Sequence, residues 1–483
     1  VYDVCIIGAG VVGAAISREL SRYELKICLL EKEEDISCGA SKANSGIVHG
    51  GYAAKHGTLK GSLNVIGNRM YPKLNEELNF GFRQTGALVI GFSDSDYAEL
   101  QKLYENGLKN GTEGIELIGR ERIMEIEPYI NPEVKWALYC STVGITSPYE
   151  FVIALVENSI ANGVELKLES EVTAITARED YFEIHTQKET LQSRAVINAA
   201  GVYSDKVARM AGIEDFTIIP RRGQYILLDK SQGHLARTVI FQVPTKLGKG
   251  ILVTPTYHGN LMIGPNAEEI GEREDVGTTE EVIRYVVDTA RISIPNFDMR
   301  KALTSFSGIR ATSNRDDFII EESRVPRFIN AAGIESPGLT ASPAIALRVA
   351  EILKNTGLTL TPKRDFNPYR KAIIIPKDES FQGSIDHKDP TQNIICRCEQ
   401  VTEAEIVDAL QRGIPIKSMD AIKRRTRTGM GMCQGHFCGP KVRAIIARET
   451  RLPEEEITPR GKGSSILPPR AERSFFIRLN QKK

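Results

Sequence analysis

Apolar positions in the first thirty residues follow two different periods. Tyr2 to Ile7 is a nearly unbroken apolar run of the length expected for a buried strand. From Val11 to Leu20, Ala14, Ala15, Ile16 and Leu20 fall at helical spacing, and Leu25 to Leu30 is a second apolar run ended by Glu31. A strand, a tight turn, a helix and a strand in that order build a parallel α/β sheet.

The middle of the chain is less regular. Gly86 to Phe92 and Trp136 to Ser141 read as strands. Ser147, Pro148 and Glu150 form a helix start, with serine as cap, proline in the first turn and glutamate three after the cap. That helix carries Phe151, Ala154, Leu155 and Ile160 to a stop at Asn162-Gly163, and strands follow at 165–168, 172–177, 181–186 and 194–198. Between Pro220 and Phe306, strand-like stretches (225–228, 250–253, 261–264) alternate with turns around one helix, 279–290, which predicts an antiparallel sheet. Phe328 to Ala331 is a further apolar strand, followed by a helix through Ile345 to Leu353. Prolines, lysines and aspartates crowd residues 358–392, apart from an apolar run at 372–375, and suit a linker.

At 483 residues the chain is too long for one ordinary core. Its 62 acidic and 62 basic residues balance, which argues against a nucleic-acid protein with a wide basic surface. No apolar run approaches the roughly 20 residues of a membrane span, and the opening residues are core-like rather than signal-like. Of eight cysteines, Cys5, Cys28, Cys38 and Cys140 are scattered, whereas Cys396, Cys398, Cys433 and Cys438 crowd together. A long α/β pattern with such cysteines suits a reducing compartment. The expected location is the cytoplasm, with room for peripheral membrane association within a complex.

Gly8, Gly10 and Gly13 form G-x-G-x-x-G directly after a strand and at a helix start. The first glycine permits the turn, the second admits a pyrophosphate, and the third lets helix and strand pack closely. Glu31, at the end of the next strand, is placed to accept a hydrogen bond from a ribose hydroxyl. The stretch Arg194 to Gly201 ends an apolar strand in small residues, and Phe328 to Gly333 repeats that texture. A split domain of this kind suits FAD held along its length better than an exchanging NAD.

On these motifs the chain resembles the D-amino-acid-oxidase superfamily of FAD enzymes over about residues 1–355, and within it the branch of L-2-hydroxyglutarate and FAD-linked glycerol-3-phosphate dehydrogenases. The stretch Gly39 to Gly51 looks like that family's flavin-contacting loop, and Gly338 to Pro343 like its C-terminal flavin loop. The resemblance implies Ser41, Lys42, Ser45 and Gly46 near FAD, Val172 at the adenine end, Gly201 and Gly333 at the strand ends, and Gly338, Leu339 and Thr340 by the pyrimidine edge. Amides at a helix start also steady negative charge on a reduced flavin.

Hydride transfer to a flavin needs a base for the accompanying proton. His49, following the flavin loop, is the best candidate among seven histidines. Arg310, in Ser307-Gly308-Ile309-Arg310, is the expected clamp for a small anionic substrate, because a guanidinium fork donates paired hydrogen bonds. Tyr52, Arg221, Lys249, Tyr257 and His258 are weaker candidates that decorate the sheet on the alternative reading. Asp316 and Asp317 are expected at a turn.

Cys396-x-Cys398 and Cys433-x-x-x-x-Cys438 can hold zinc or a [2Fe-2S] centre. Gly429, Gly431, Gly435 and Gly439 offer amides to sulfur. This segment is similar to the bacterioferritin-associated ferredoxin-like (BFD-like) domain, which implies [2Fe-2S]. Thr402 to Glu405 reads as a capping box for a helix to Leu410, and a second helix is expected from Pro440 to Ala447.

The expected architecture is therefore α/β. A Rossmann-like FAD-binding domain with an inserted antiparallel-sheet substrate domain covers 1–357, with FAD-binding parts about 1–80, 145–215 and 305–357 and substrate parts about 81–144 and 216–304. A linker (358–392), a small helical [2Fe-2S] domain (393–453) and a tail (454–483) follow. The resemblance implies oxidation of sn-glycerol 3-phosphate to dihydroxyacetone phosphate, with electrons leaving one at a time to a second flavoprotein or a quinone-linked system. The stretch Asn44 to His49 looks closer to the L-2-hydroxyglutarate branch. A 2-hydroxy or amino acid dehydrogenase, or a non-catalytic electron-transfer subunit, are the alternatives.

Overall fold

The computed structural model describes residues 1–243, 250–378, 380–461 and 463–464. Lys249 and the tail expected beyond 464 lie outside them. The chain divides into two compact units, Val1–Ala372 and Ile373–Lys483.

The first unit is built on two sheets. In the first, the apolar strand Tyr2–Ile7 is central, with Ile27–Leu30 parallel on one side and Thr190–Asn198 parallel on the other. Glu165–Lys167 extends the parallel part beyond Ile27–Leu30. Val172–Ala177 and Phe182–Thr186 form an antiparallel meander on Thr190–Asn198, and Phe328–Ala332 runs parallel to that same long strand. Strands buried on both faces read as continuous apolar runs, which is why this half is legible in sequence. The helix Val11–Leu20 packs on Pro148–Ala161 and Gly338–Asn355, and Leu59–Leu78 packs on Gly338–Asn355.

The second, nine-stranded sheet is largely antiparallel, as expected, with one parallel pairing between Val239–Gln242 and Ala87–Gly91. Its long ladder joins Ile218–Leu228 to Ala302–Ser313. Together the two sheets and their helices make the expected Rossmann-like domain with an inserted sheet domain.

Local expectations fail at several points. Leu59–Leu78, Asp94–Asn110 and Arg120–Ile126 are helices that the apolar pattern does not announce. The first contains Gly61, Gly67 and Pro72 and buries the polar Asn64 and Glu77, so no clean apolar stripe marks it. The second buries only Leu100 and Gly107; its visible signature is the capping box that Ser93 and Asp96 complete. Ser147 does precede the helix Pro148–Ala161, but it makes no side-chain cap and its buried hydroxyl has no partner. Glu150, expected to complete that cap, binds His258 instead. The strand expected over 250–253 is only Val253–Pro255, and the helix expected over 279–290 runs Glu280–Ser293.

Within the stretch expected as a linker, Asn367 and Arg370 are held against the first unit. The Asn158 and Asn162 amides donate to Asn367 O at 3.0 and 2.8 Å, and Arg370 Nε meets Glu157 Oε2 at 2.5 Å. The run 372–375 forms neither strand nor helix.

The second unit is small and mostly helical. A short hairpin, Ile394–Cys396 with Val401–Thr402, leads into helices Glu403–Leu410, Met419–Thr426 and Gly439–Thr450. Thr402 and Glu405 close the expected capping box. The helix Met419–Thr426 is unannounced because its sequence, rich in lysine and arginine, reads as a solvated face, yet Arg424 and Arg425 are buried. Among the described residues, no helix is long and apolar enough to cross a membrane.

Candidate active site

The glycine turn is closed to side chains. Gly8 has φ +104, and a Cβ there would lie 2.5 Å from Ala199 O. A Cβ on Gly13 would lie 1.9 Å from Gly8 O, so only glycine lets this helix approach its strand. Gly10 stands beside Ser41, whose Oγ accepts from Val11 N at 2.8 Å. Glu31 accepts from Ala9 N at 2.9 Å and Glu33 N at 3.1 Å; burial raises its pKa, and those two amides work against the rise. Ser170 N donates to the backbone O of Glu31 at 2.8 Å, two residues before the strand that starts at Val172.

The strands before Gly201 and Gly333 are tied together. Asn198 and Asn330 are in register, and Asn198 Nδ2 donates to Asn330 Oδ1 at 2.9 Å. Gly201 (φ +55) and Gly333 (φ +64) then turn the chain, as the repeated Asn-Ala-Ala-Gly texture requires of both. This glycine cradle with a carboxylate at its edge fits an extended dinucleotide.

The loop expected at the flavin holds Ser41 and the exposed Lys42 in a short 3-10 turn, followed by the half-buried Ser45 and by Gly46. Gly46 has φ +65, and a Cβ there would lie 2.3 Å from Thr146 O. Three residues on, His49 N donates to Thr340 Oγ1 at 2.9 Å, and Thr340 Oγ1 donates to Ile47 O at 3.3 Å. The loop is thus fastened to the N-terminal turn of the helix that begins at Gly338. Tyr71 donates to Leu339 O at 2.7 Å, and Asn68 donates to His49 O at 3.1 Å. Both belong to Leu59–Leu78, so sequence reasoning missed these two supports along with their helix.

Arg310 lies on the ladder above this loop. A Cβ on Gly308 would lie 1.9 Å from Ala43 O, so this face of the ladder looks onto the flavin loop. Alternation puts Arg310 and Phe306 on the same face, opposite Arg221 and Tyr225. The Arg310 guanidinium lies over Gly223, where a Cβ would come within 2.8 Å of Nη2, and donates to Asn266 O at 3.2 Å. Burial raises the Tyr225 pKa, and Arg310 beside it works against that. Tyr225 stacks on Phe306 at 4.9 Å.

The weaker candidates scatter. Tyr52 is buried in the core around Leu138 and Val143. Tyr257 covers Gly81, and His258 Nε2 meets Glu150 Oε1 at 2.6 Å. Asp316, with φ +55, sits in a turn, and Asp317 accepts from Leu59 N and Lys60 N at 2.8 and 3.0 Å, capping that helix from afar.

In the second unit the four cysteines meet in two facing pairs, Cys396 with Cys438 and Cys398 with Cys433. The hydrogen bond from Cys438, with amides of Gly429 and Glu399, pushes Cys396 down to about 6, while Cys438 is pushed up. Amides of Gly435 and Phe437 face Cys433. A Cβ on Gly431 would lie 2.2 Å from Cys398 Cβ, so glycine is required there. Two thiol pairs with amides aimed at sulfur fit a two-iron core.

Comparison with known proteins agrees with this geometry. The family model for FAD dependent oxidoreductase (DAO) matches residues 3–352, and that for the BFD-like [2Fe-2S] binding domain matches 394–448. Glycerol 3-phosphate dehydrogenase of Caloramator mitchellensis is 48% identical over 470 residues, covering 96% of this chain and 98% of that protein. Human mitochondrial L-2-hydroxyglutarate dehydrogenase is 31% identical over 410 residues, 72% of this chain and 88% of that protein. Among solved structures, the FAD-bound L-alpha-glycerophosphate oxidase of Mycoplasma pneumoniae superposes with TM-score 0.73 at 30% identity, covering 76% of this chain and 98% of that one. FAD in the first unit and a [2Fe-2S] cluster in the second are the cofactors these matches assign.

Proposed function

Because this chain belongs to the FAD dependent oxidoreductase family and matches its members that oxidise a CH-OH substrate, we propose that it is a dehydrogenase of sn-glycerol 3-phosphate that yields dihydroxyacetone phosphate. Held by the Gly8–Gly13 turn and the loop at Gly39 to Gly51, FAD would supply a hydride acceptor, and a cluster on Cys396, Cys398, Cys433 and Cys438 would supply a one-electron exit toward a second flavoprotein or a quinone-linked acceptor. A ring nitrogen of His49 takes the hydroxyl proton, with the loop held by Thr340 keeping that ring in place. Arg310 binds the anionic end of the substrate and sets its distance from the flavin loop.

The observation that carries this reading is the pairing of the ladder face that bears Arg310 with the loop Gly39 to Gly51. Gly308 has no room for a side chain against Ala43, and Arg310 follows it on the same face. The comparisons support the choice of substrate and of dehydrogenase over oxidase. The relative named a dehydrogenase matches nearly the whole chain, cysteine unit included, while the structure titled an oxidase matches 76% of it. We take the protein to work in the cytoplasm, at the membrane face if its acceptor is quinone-linked. The domain limits proposed for the cofactors are 1–357 and 393–453.

The test is anaerobic mixing of the FAD-loaded protein with single donors. Rapid flavin bleaching by glycerol 3-phosphate and none by L-2-hydroxyglutarate is the expected result. The reverse would favour the second reading, L-2-hydroxyglutarate oxidation, to which the human relative points. No bleaching by either would leave an electron-transfer subunit.

A further inference from the structure

Two neighbouring arginines on the same strand are treated very differently. Arg222, on the face turned away from the flavin loop, has carboxylate partners: Asp275 Oδ2 at 2.6 Å from Nη1 and Glu268 Oε1 at 3.3 Å from Nη2. Arg221, one residue earlier and on the opposite face, has none among the described residues. The buried Nε of each lacks a hydrogen-bond partner among the described residues, so what separates the two arginines is the ion pairing. Arg221 sits directly across the ladder from Arg310. Glu269 flanks it on the other edge of the strand, yet among the described residues neither Arg221 nor Arg310 makes an ion pair.

Directly opposed residues of an antiparallel pair have Cβ atoms about 4.5–5.5 Å apart, and like charges placed so destabilise the pair. The unfavourable juxtaposition becomes favourable once an anion bridges it. One guanidinium fork satisfies a carboxylate monoanion, whereas a phosphomonoester dianion has oxygens and charge for two. A five-carbon dicarboxylate also carries two charges, but holds them at opposite ends of its chain rather than on one group.

We infer that Arg221 and Arg310 form a two-guanidinium seat for a single dianionic phosphate group, with Arg221 as the residue that selects phosphate over carboxylate. The inference rests on the proposed reading only in that the seated molecule is the donor oxidised beside the flavin loop. Arg310, held by Asn266 O and flanked by Tyr225, is the fixed half of the seat; Arg221 supplies the second charge.

The test uses the full-length holoprotein and its R221Q and R221K variants, each checked for flavin content. For R221Q the KM for glycerol 3-phosphate should rise about tenfold or more with the limiting rate of flavin bleaching little changed, since only binding of the non-reacting end is lost. Inhibition by inorganic phosphate should weaken in parallel, and R221K should fall between. Slow bleaching by uncharged glycerol should be the same in all three. A KM and a phosphate inhibition constant within about twofold of the parent in R221Q would overturn the inference. If glycerol 3-phosphate fails to bleach even the parent protein, the substrate reading falls by itself. Perturbation of the flavin spectrum by inorganic phosphate then decides for the seat if R221Q abolishes it, and against the seat if the parent shows none.

Discussion

The backbone amide of His49 donates to the hydroxyl of Thr340 at 2.9 Å, although 291 positions separate the two residues. The bond joins the loop that carries the proposed base to the first turn of the helix Gly338–Asn355, proposed to lie at the flavin. The same hydroxyl donates to Ile47 O, so one buried oxygen holds the loop at two points.

Thr340→Val keeps the shape and removes both bonds, leaving a half-buried amide without its acceptor. A stability loss of about 1–3 kcal/mol is expected, read as a lower unfolding midpoint of the holoprotein. Flavin bleaching should slow as well, because His49 loses its anchor; an unchanged rate would mean that the bond serves folding alone.

His49→Ala should slow anaerobic flavin bleaching by about 100-fold, the ordinary scale for a positioned base, with substrate affinity nearly preserved. Rapid-mixing absorbance at several donor concentrations separates rate from affinity. Equal rates in variant and parent would remove His49 from the chemistry.

Gly13→Ala places a methyl carbon where Gly8 O stands, 1.9 Å away. The helix must back off its strand, at a cost of about 1–3 kcal/mol, and the amides proposed to face the pyrophosphate move with it. Visible flavin per chain after gel filtration should fall sharply. Retention of full flavin would show that the turn tolerates a shift.

Cys433→Ser should strip iron and sulfide from the purified, oxygen-protected protein while leaving FAD in place. Substrate should still bleach the flavin, and reduction of one-electron acceptors should drop. Zinc in the parent protein at the level expected for iron would refute the two-iron assignment.

Asp205 has a fully buried side chain and binds Arg273, with Oδ2 2.9 Å from Nη2. Burial works to raise its pKa, but Arg273 and the Ile218 amide overrule it, and the carboxyl ends below its ordinary value. A carboxyl depressed by folding contributes stability that is fully present above its unfolded pKa, about 3.9, and is lost as pH falls through the lower folded value. Asp205→Asn should therefore cost about 3 kcal/mol at neutral pH. The gap in unfolding midpoint between parent and variant should stay constant from pH 5 to 8 and close only below about pH 4. A gap that closed near neutrality would contradict the depressed carboxyl.

What the sequence determined by itself was local. Gly8 and Gly13 announce their turn because close backbone approach excludes every other residue there. Strands such as Tyr2–Ile7 and Phe328–Ala332 announce themselves because burial on both faces demands unbroken apolar runs. Four clustered cysteines announce a metal centre because few other roles gather thiols so closely. The helix Leu59–Leu78 did not announce itself: its exposed face carries the apolar Ile66, while its covered face holds Gly61, Gly67 and the polar Asn64 and Glu77, which are tolerated only because the surrounding structure packs against them. Arg221 facing Arg310, and Thr340 holding His49, were decided by tertiary structure alone. Ladder register and helix docking are set by packing between distant segments, and no periodicity along the chain encodes which residue ends up across from which.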